Sequence, residues 1–196
     1  MATSLVSTGV QFPDSSIQTT AAGASGLTFI SSQTISSTVA SMDFTSGISS
    51  TYDSYFVVFS NFQIQNGGRI ALRLRQGSTF VTSGYATYFF SVQNGNVFNA
   101  NFDTNATFLM SNQSGTPDNA GYSSGYFTLL SANIATARVA AVNGYSSTAG
   151  NNGSSSTIQN FSGGLTSTGV ITGFQFLSQS GNLNGGTATL YGMAKA

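Results

Sequence analysis

In the stretch RIALRLRQG (69–77), Ile70, Leu72 and Leu74 alternate strictly with Arg69, Ala71, Arg73 and Arg75. A period of two puts the aliphatic side chains on one face and the arginines with Ala71 on the other. That is the pattern of a half-buried antiparallel strand. TYDSYFVVFSNFQIQ (51–65) comes before it and is rich in the aromatic and β-branched residues that strands accommodate. NGG (66–68) lies between them and supplies the positive-φ positions of a tight turn. The two stretches are expected to form a hairpin. Further strands are predicted over 84–92, 106–111, 126–132, 137–145, 156–163, 169–178 and 186–194, with two more inside 26–44. Gly, Asn and Ser punctuate the gaps. No stretch joins helical spacing to helix-forming composition. Many short strands between turn signals indicate an all-β antiparallel sandwich or barrel. Val57, Phe59, Ile70, Leu72, Leu74 and Leu190 are its expected core.

Composition bears on what such a body can do. The chain has 196 residues, enough for one domain and an extension. Hydrophobic residues make up 40%, too many for a disordered chain, yet only 5% are charged and the net charge is zero. The surface must therefore be covered by Ser, Thr, Asn, Gln and Gly. Zero net charge offers no electrostatic footprint for nucleic acid or anionic membrane. Cysteine is absent, which excludes disulfides and thiolate metal sites. No run approaches the ~18 apolar residues of a membrane span, and MATSLVSTGV lacks the basic start and apolar stretch of a signal peptide. Synthesis in a cytoplasm is the expectation.

The first 25 residues differ from the rest. They are mainly Ser, Thr, Ala, Gly and Gln, with an apolar minority, Val6, Val10, Phe12 and Ile17. Such a ribbon is too short to bury these side chains on itself. Residues 1–25 are therefore expected to be an extended attachment or oligomerisation arm, and 26–196 the β-domain, with the four apolar residues as the arm's interface.

GVQFPDSSIQTTAAG (9–23) resembles a recurrent segment of tailed-bacteriophage fibre and virion proteins, of the form G-[IV]-x-F-x-D-G-[ST]-x-Q-T-T-A. Gly9, Val10, Phe12, Asp14, Ile17, Gln18, Thr19, Thr20 and Ala21 match it, and Ser15 stands where the pattern has Gly. YDSYFVVFSNF, IALRLRQGSTFVTSGY and the closing ITGFQFLSQSGNLNGGTATLYGMAK resemble the C-terminal jelly-roll module of phage tail and fibre proteins. Gly186, Thr187, Leu190, Tyr191 and Gly192 match its closing strand. The resemblance implies an antiparallel jelly-roll-like β-sandwich with an N-terminal arm, in a homo-oligomeric, trimeric structural protein of the virion, assembled in the host cytoplasm beside other virion proteins. The role it implies is a short tail fibre or tail-associated module that docks by its arm and contacts host surface carbohydrate or protein. A capsid decoration protein is the alternative, and a polysaccharide depolymerase the second alternative.

The residue inventory speaks against chemistry. His and Glu are absent, so no Ser-His-Asp relay can form, and five scattered aspartates are a poor set for acid–base work. Asp43 and Asp53, and Asp103 in NFDTN, read as residues of turns and polar loops. One carboxylate with Asn101 and Asn105 makes a weak calcium site. The expectation is no enzyme, no catalytic residue, no cofactor and no metal. The arginines of 69–75 read as a solvated sheet face or an interface. Binding is expected instead in GYSSTAGNNGSSST (144–157), read as a long loop, and in GYSSGYF (121–127), because loops on a rigid sandwich carry function. Tyr122, Tyr126, Tyr145, Asn151 and Asn152 are the candidate receptor contacts.

Overall fold

The computed structural model describes residues 4–6, 9–11, 13, 17–18, 26–65, 69–93, 97–109, 122–130, 132, 141–149 and 156–194. Among these there is no α-helix. Three short strands, β1 (Ser4–Val6), β2 (Gly9–Gln11) and β3 (Ile17–Gln18), form a small antiparallel sheet of their own. The rest of the strands build a sandwich. They are β4 (Leu27–Ile35), β5 (Ser41–Phe44), β6 (Ser54–Ile64), β7 (Ile70–Gln76), β8 (Thr79–Phe80), β9 (Tyr85–Gln93), β10 (Val97–Ala106), β11 (Tyr122–Leu130), β12 (Ala141–Ala149), β13 (Ser156–Leu165), β14 (Ile171–Ser178) and β15 (Leu183–Met193). Eight strands in the order β10-β9-β13-β12-β11-β6-β15-β4 make the large sheet, and β5-β14-β7-β8 make the small one. Every pairing is antiparallel. The chain is thus an all-β, antiparallel, jelly-roll-like sandwich.

The strands 54–64 and 70–76 do not form the expected hairpin. β6 pairs with β11 and β15, whereas β7 pairs with β14 and β8 in the opposite sheet. The connection between them crosses the sandwich. Each strand has a continuous apolar face, and facing each other across the core buries both faces. The same exchange of sheets occurs from β4 to β5, β5 to β6, β8 to β9, β13 to β14 and β14 to β15.

The expected core residues are buried: Val57, Leu72, Leu74 and Leu190 are fully inaccessible, and Phe59 and Ile70 nearly so. Ala71, expected beside the arginines on the other face of β7, is also buried. In β6 the alternation slips once. Asn61 adopts a left-handed conformation (φ 55°), and its N–H donates to Ser124 Oγ at 3.0 Å. The pairing with β11 shifts there. One extra residue re-aims the strand, so Phe59, Phe62 and Ile64 all face inward. Two mid-strand glycines make room for the rings. A Cβ on Gly125 would lie 2.7 Å from Phe59 Cζ, and one on Gly144 would run into the ring of Phe161. Neither contact is sterically possible.

Tyr85 ties the sheets together by hydrogen bonding. The Leu74 N–H donates to its phenol oxygen at 2.9 Å, and the phenol donates to the Val81 carbonyl at 2.9 Å. Burial pushes this phenol up to about 12, opposed by the Leu74 N–H, which favours the anion. The folded state therefore holds the proton more tightly than the unfolded chain, in which tyrosine titrates near 10. The stability this group contributes is complete below about pH 10 and is lost as pH rises towards about 12. Unfolding midpoints taken between about pH 9 and pH 11.5 should fall more steeply for the native chain than for Tyr85→Phe, although the variant starts lower. Parallel slopes would show that the phenol is not held neutral by the fold.

Candidate functional site

The outer face of the eight-stranded sheet is the surface that stands out. Across the strands, the register aligns Phe102, Tyr88, Ser162, Asn143, Thr128, Phe56, Tyr191 and Phe29 in one row. The next row is Ala100, Phe90, Asn160, Tyr145, Tyr126, Val58, Thr189 and Ser32. At ~4.8 Å between strands, each row spans roughly 34 Å. Among the described residues, the large apolar side chains left exposed are Leu27, Phe29, Val58, Tyr88, Phe102, Tyr122, Tyr126 and Ile158, all on this face, and Val170, which is not. Exposed apolar side chains gathered on one face of a sheet are a usual mark of an interaction surface. No charged side chain stands on it among the described residues.

The face has two halves of different chemistry. Over β11, β6, β15 and β4 the rings touch one another. Phe56 and Tyr126 lie 5.6 Å apart between centroids, and Phe29 meets Tyr191 edge-on at 6.2 Å. Several Ser and Thr hydroxyls there are paired: Ser32 with Thr189 at 3.0 Å, Thr34 with Thr187 at 2.9 Å, and Thr128 donating to the Asn143 carbonyl at 3.3 Å. Over β9, β13 and β12 the rings are separated by amides. Tyr88, Phe90, Asn143, Asn160 and Ser162 line a shallow depression of about 310 Å³ with Gly144 and Phe161.

The structure corrects the placement of the candidate contacts. Tyr122 and Tyr126 lie in β11 and Tyr145 in β12, on strands and not on loops. The stretch 144–157 is mostly strand, because β12 runs to Ala149 and β13 starts at Ser156. Its Ser- and Gly-rich composition misled the reading. Small residues such as Gly144 and Ser146 face inward beneath the rings of the core, where larger ones would not fit. Tyr126 and Tyr145 are directly paired, with rings stacked at 5.9 Å and 27°. Tyr122 shares their face but pairs with Ala149, away from that stack. Asn151 and Asn152 lie outside the described residues. Of the arm residues, Val6, Val10 and Ile17 fall in β1, β2 and β3, where Val6 pairs with Gly9, Val10 with Gln18 and Ile17 with Gln11. Phe12 lies outside the described residues.

The remaining candidates are dispersed. NFDTN belongs to strand β10, with Asp103 opposite Thr87, and is not a loop. Asp43 sits in β5 and accepts a 3.0 Å hydrogen bond from Gln175 Nε2, and Asp53 precedes β6. Among the described residues no three acidic, histidine or cysteine side chains gather into a metal-holding group. Arg73 donates to the Thr107 carbonyl at 3.2 Å and Arg75 to Thr172 Oγ1 at 3.3 Å. Arg75 therefore braces β14 of the small sheet, and Arg73 the segment that follows β10 of the large one.

Sequence reasoning missed Phe29, Phe56, Val58, Tyr88, Phe90, Phe102, Asn143, Asn160 and Tyr191. One signal was present. In YFVVF (55–59) both alternating sets are apolar, and a strand apolar on both faces has something to cover on each. Compared with family models, curated proteins and solved structures, the chain matches none.

Proposed function

We propose that this chain is a structural attachment protein of a tailed-bacteriophage particle. It works as a homo-oligomer, a trimer in the simplest arrangement, docks by its N-terminal arm as a short tail fibre or tail-associated module, and binds without turnover. The observation that carries the reading is the uncharged, aromatic outer face of the large sheet. It presents one rigid, broad surface for contact and gathers no acid–base pair. The half over β11, β6, β15 and β4 is fitted to burial against another copy, because its rings are exposed and several of its Ser and Thr hydroxyls are already paired. A face without charge also complements itself. The resemblance of residues 9–23 to virion segments supplies the arm's role. The breadth of the face equally suits a capsid decoration protein lying across shell subunits, and the location of the chain on the particle separates the two.

Gold-labelled antibody against the chain, imaged on particles made from the encoding genome, should decorate the tail. Label spread over the head would favour decoration, and unlabelled particles would overturn both readings. The arm is tested in the same particles. Phe12→Ser should lower occupancy by about 30- to 1,000-fold in affinity, the equivalent of 2–4 kcal/mol for a buried interface ring. Occupancy equal to that of the native chain would show the arm to be a passive tail.

A further inference from the structure

We propose that the depression over β9, β13 and β12 is a binding site for a neutral carbohydrate chain. The proposal rests on the attachment reading above and names the ligand class of that surface. Tyr88 and Phe90 are alternate residues of β9, so both rings project from the outer face about 7 Å apart. Tyr88 is 49% exposed. Asn160 stands directly opposite Phe90, and Ser162 opposite Tyr88, with Asn143 beyond Ser162. Asn143 and Asn160 are both exposed, and neither amide is engaged in a side-chain hydrogen bond among the described residues.

This combination selects its occupant. A pyranose ring offers a C–H face that packs on an aromatic face and an equatorial rim of hydroxyls that donate and accept. Asn supplies two donors and an acceptor from one planar group, which matches adjacent hydroxyls of a sugar. Tyr gives an apolar body with a polar tip, suited to a half-wet site. The other candidate occupants fit less well. A nucleic acid would want cations, and none stands on this face among the described residues. A second protein copy would bury two amides without assured partners, at the cost of leaving them unsatisfied. An acidic glycan would find no arginine or lysine here to offset the desolvation of its carboxylates. The depression is shallow and small, so a single site binds weakly. A homo-oligomer presenting several copies to one polymer would recover the affinity by avidity.

The test uses the full-length protein on immobilised neutral polysaccharides (dextran, mannan, galactan) and acidic ones (polygalacturonate, hyaluronate). At least one neutral polymer should retain the protein, and the acidic polymers should not. Retention should change less than about twofold between 0.05 and 0.5 M salt, since no charge is screened. Tyr88→Ala and, separately, Asn160→Ala should each lower retention about tenfold or more, while Val170→Ala, exposed but off this face, leaves it unchanged. Far-UV circular dichroism and oligomeric mass of the variants verify that fold and assembly are intact. If the native chain ignores every neutral polymer, or if Tyr88→Ala and Asn160→Ala bind as the native chain does, the site assignment is overturned. Particle labelling and oligomeric mass then decide separately whether the attachment reading stands.

Discussion

Replacing Phe176 by alanine should remove about 3–5 kcal/mol of folding stability, the cost of deleting a buried phenyl group and leaving its cavity. Phe176 lies in β14 of the small sheet and is fully buried. Its ring meets Phe62 at 4.9 Å, Phe59 at 5.4 Å and Phe127 at 6.0 Å, all from the large sheet, and Phe174 from its own strand at 5.9 Å. Phe174 in turn stacks on Phe44 at 4.6 Å. Phe176 therefore sits where the two sheets meet, and its contacts are nearly all between sheets. Neighbours from β6 and β11 are held by their own ladders and cannot collapse into the gap. Against a total stability of about 5–15 kcal/mol for a domain, such a loss is a fifth or more of the whole. The melting temperature should fall by about 6–20 °C for a chain of this length. Val170→Ala, at an exposed position, should stay within about 0.5 kcal/mol. Equilibrium denaturation measures both. A loss below about 1 kcal/mol at Phe176 would mean that the sheets are not joined through these rings.

Strand membership was legible where alternation was strict. Ile70, Leu72 and Leu74 could share a face only in a strand, and they do. The same alternation says nothing about which strand lies alongside. That is why 51–65 and 69–77 read as a hairpin when the chain in fact carries one into each sheet. Both outcomes bury the same apolar set, and the difference lies in long-range pairing with β11, β15 and β14. Strand β10 and the length of β12 escaped notice for a different reason. Asn-, Ser- and Gly-rich sequence reads as loop, yet in β12 Gly144 and Ser146 suit the inner face of a sheet whose space is taken by large rings. The wide face was hidden because its residues come from eight strands scattered between 27 and 193. Phe29, Tyr191, Phe56 and Tyr88 become neighbours in a row only through register. Of the candidate tyrosines, Tyr126 and Tyr145 are the pair that the fold brings together, on a strand face and not at a loop tip.

That strand face leads to the second large effect: the paired substitutions Val58→Lys and Tyr126→Lys should convert an oligomer into a monomer. The two residues are opposite each other on β6 and β11, exposed by 38% and 46%, with Phe56 and Tyr145 packed against the Tyr126 ring. They occupy the middle of the ring-bearing half of the outer face. If that half is the contact between copies, Tyr126 lies at its desolvated centre, where truncating an aromatic anchor costs about 2–4 kcal/mol. Two ammonium groups in place of these side chains would also have to be buried without counter-charge, since no acidic side chain stands on the face among the described residues. The dissociation constant should rise by at least about a thousandfold, the equivalent of roughly 4 kcal/mol. Light scattering should give the native chain three times the 20.2 kDa of one copy, and the variant the mass of one. Folding should be little affected, because both side chains point away from the core and surface changes cost within about 0.5 kcal/mol each. Circular dichroism and the denaturation midpoint check that. A native chain that stays monomeric would refute self-association. A doubly substituted chain that keeps the native mass would move the contact elsewhere, to the arm or to the small sheet, and would leave the aromatic half of the face for a different partner.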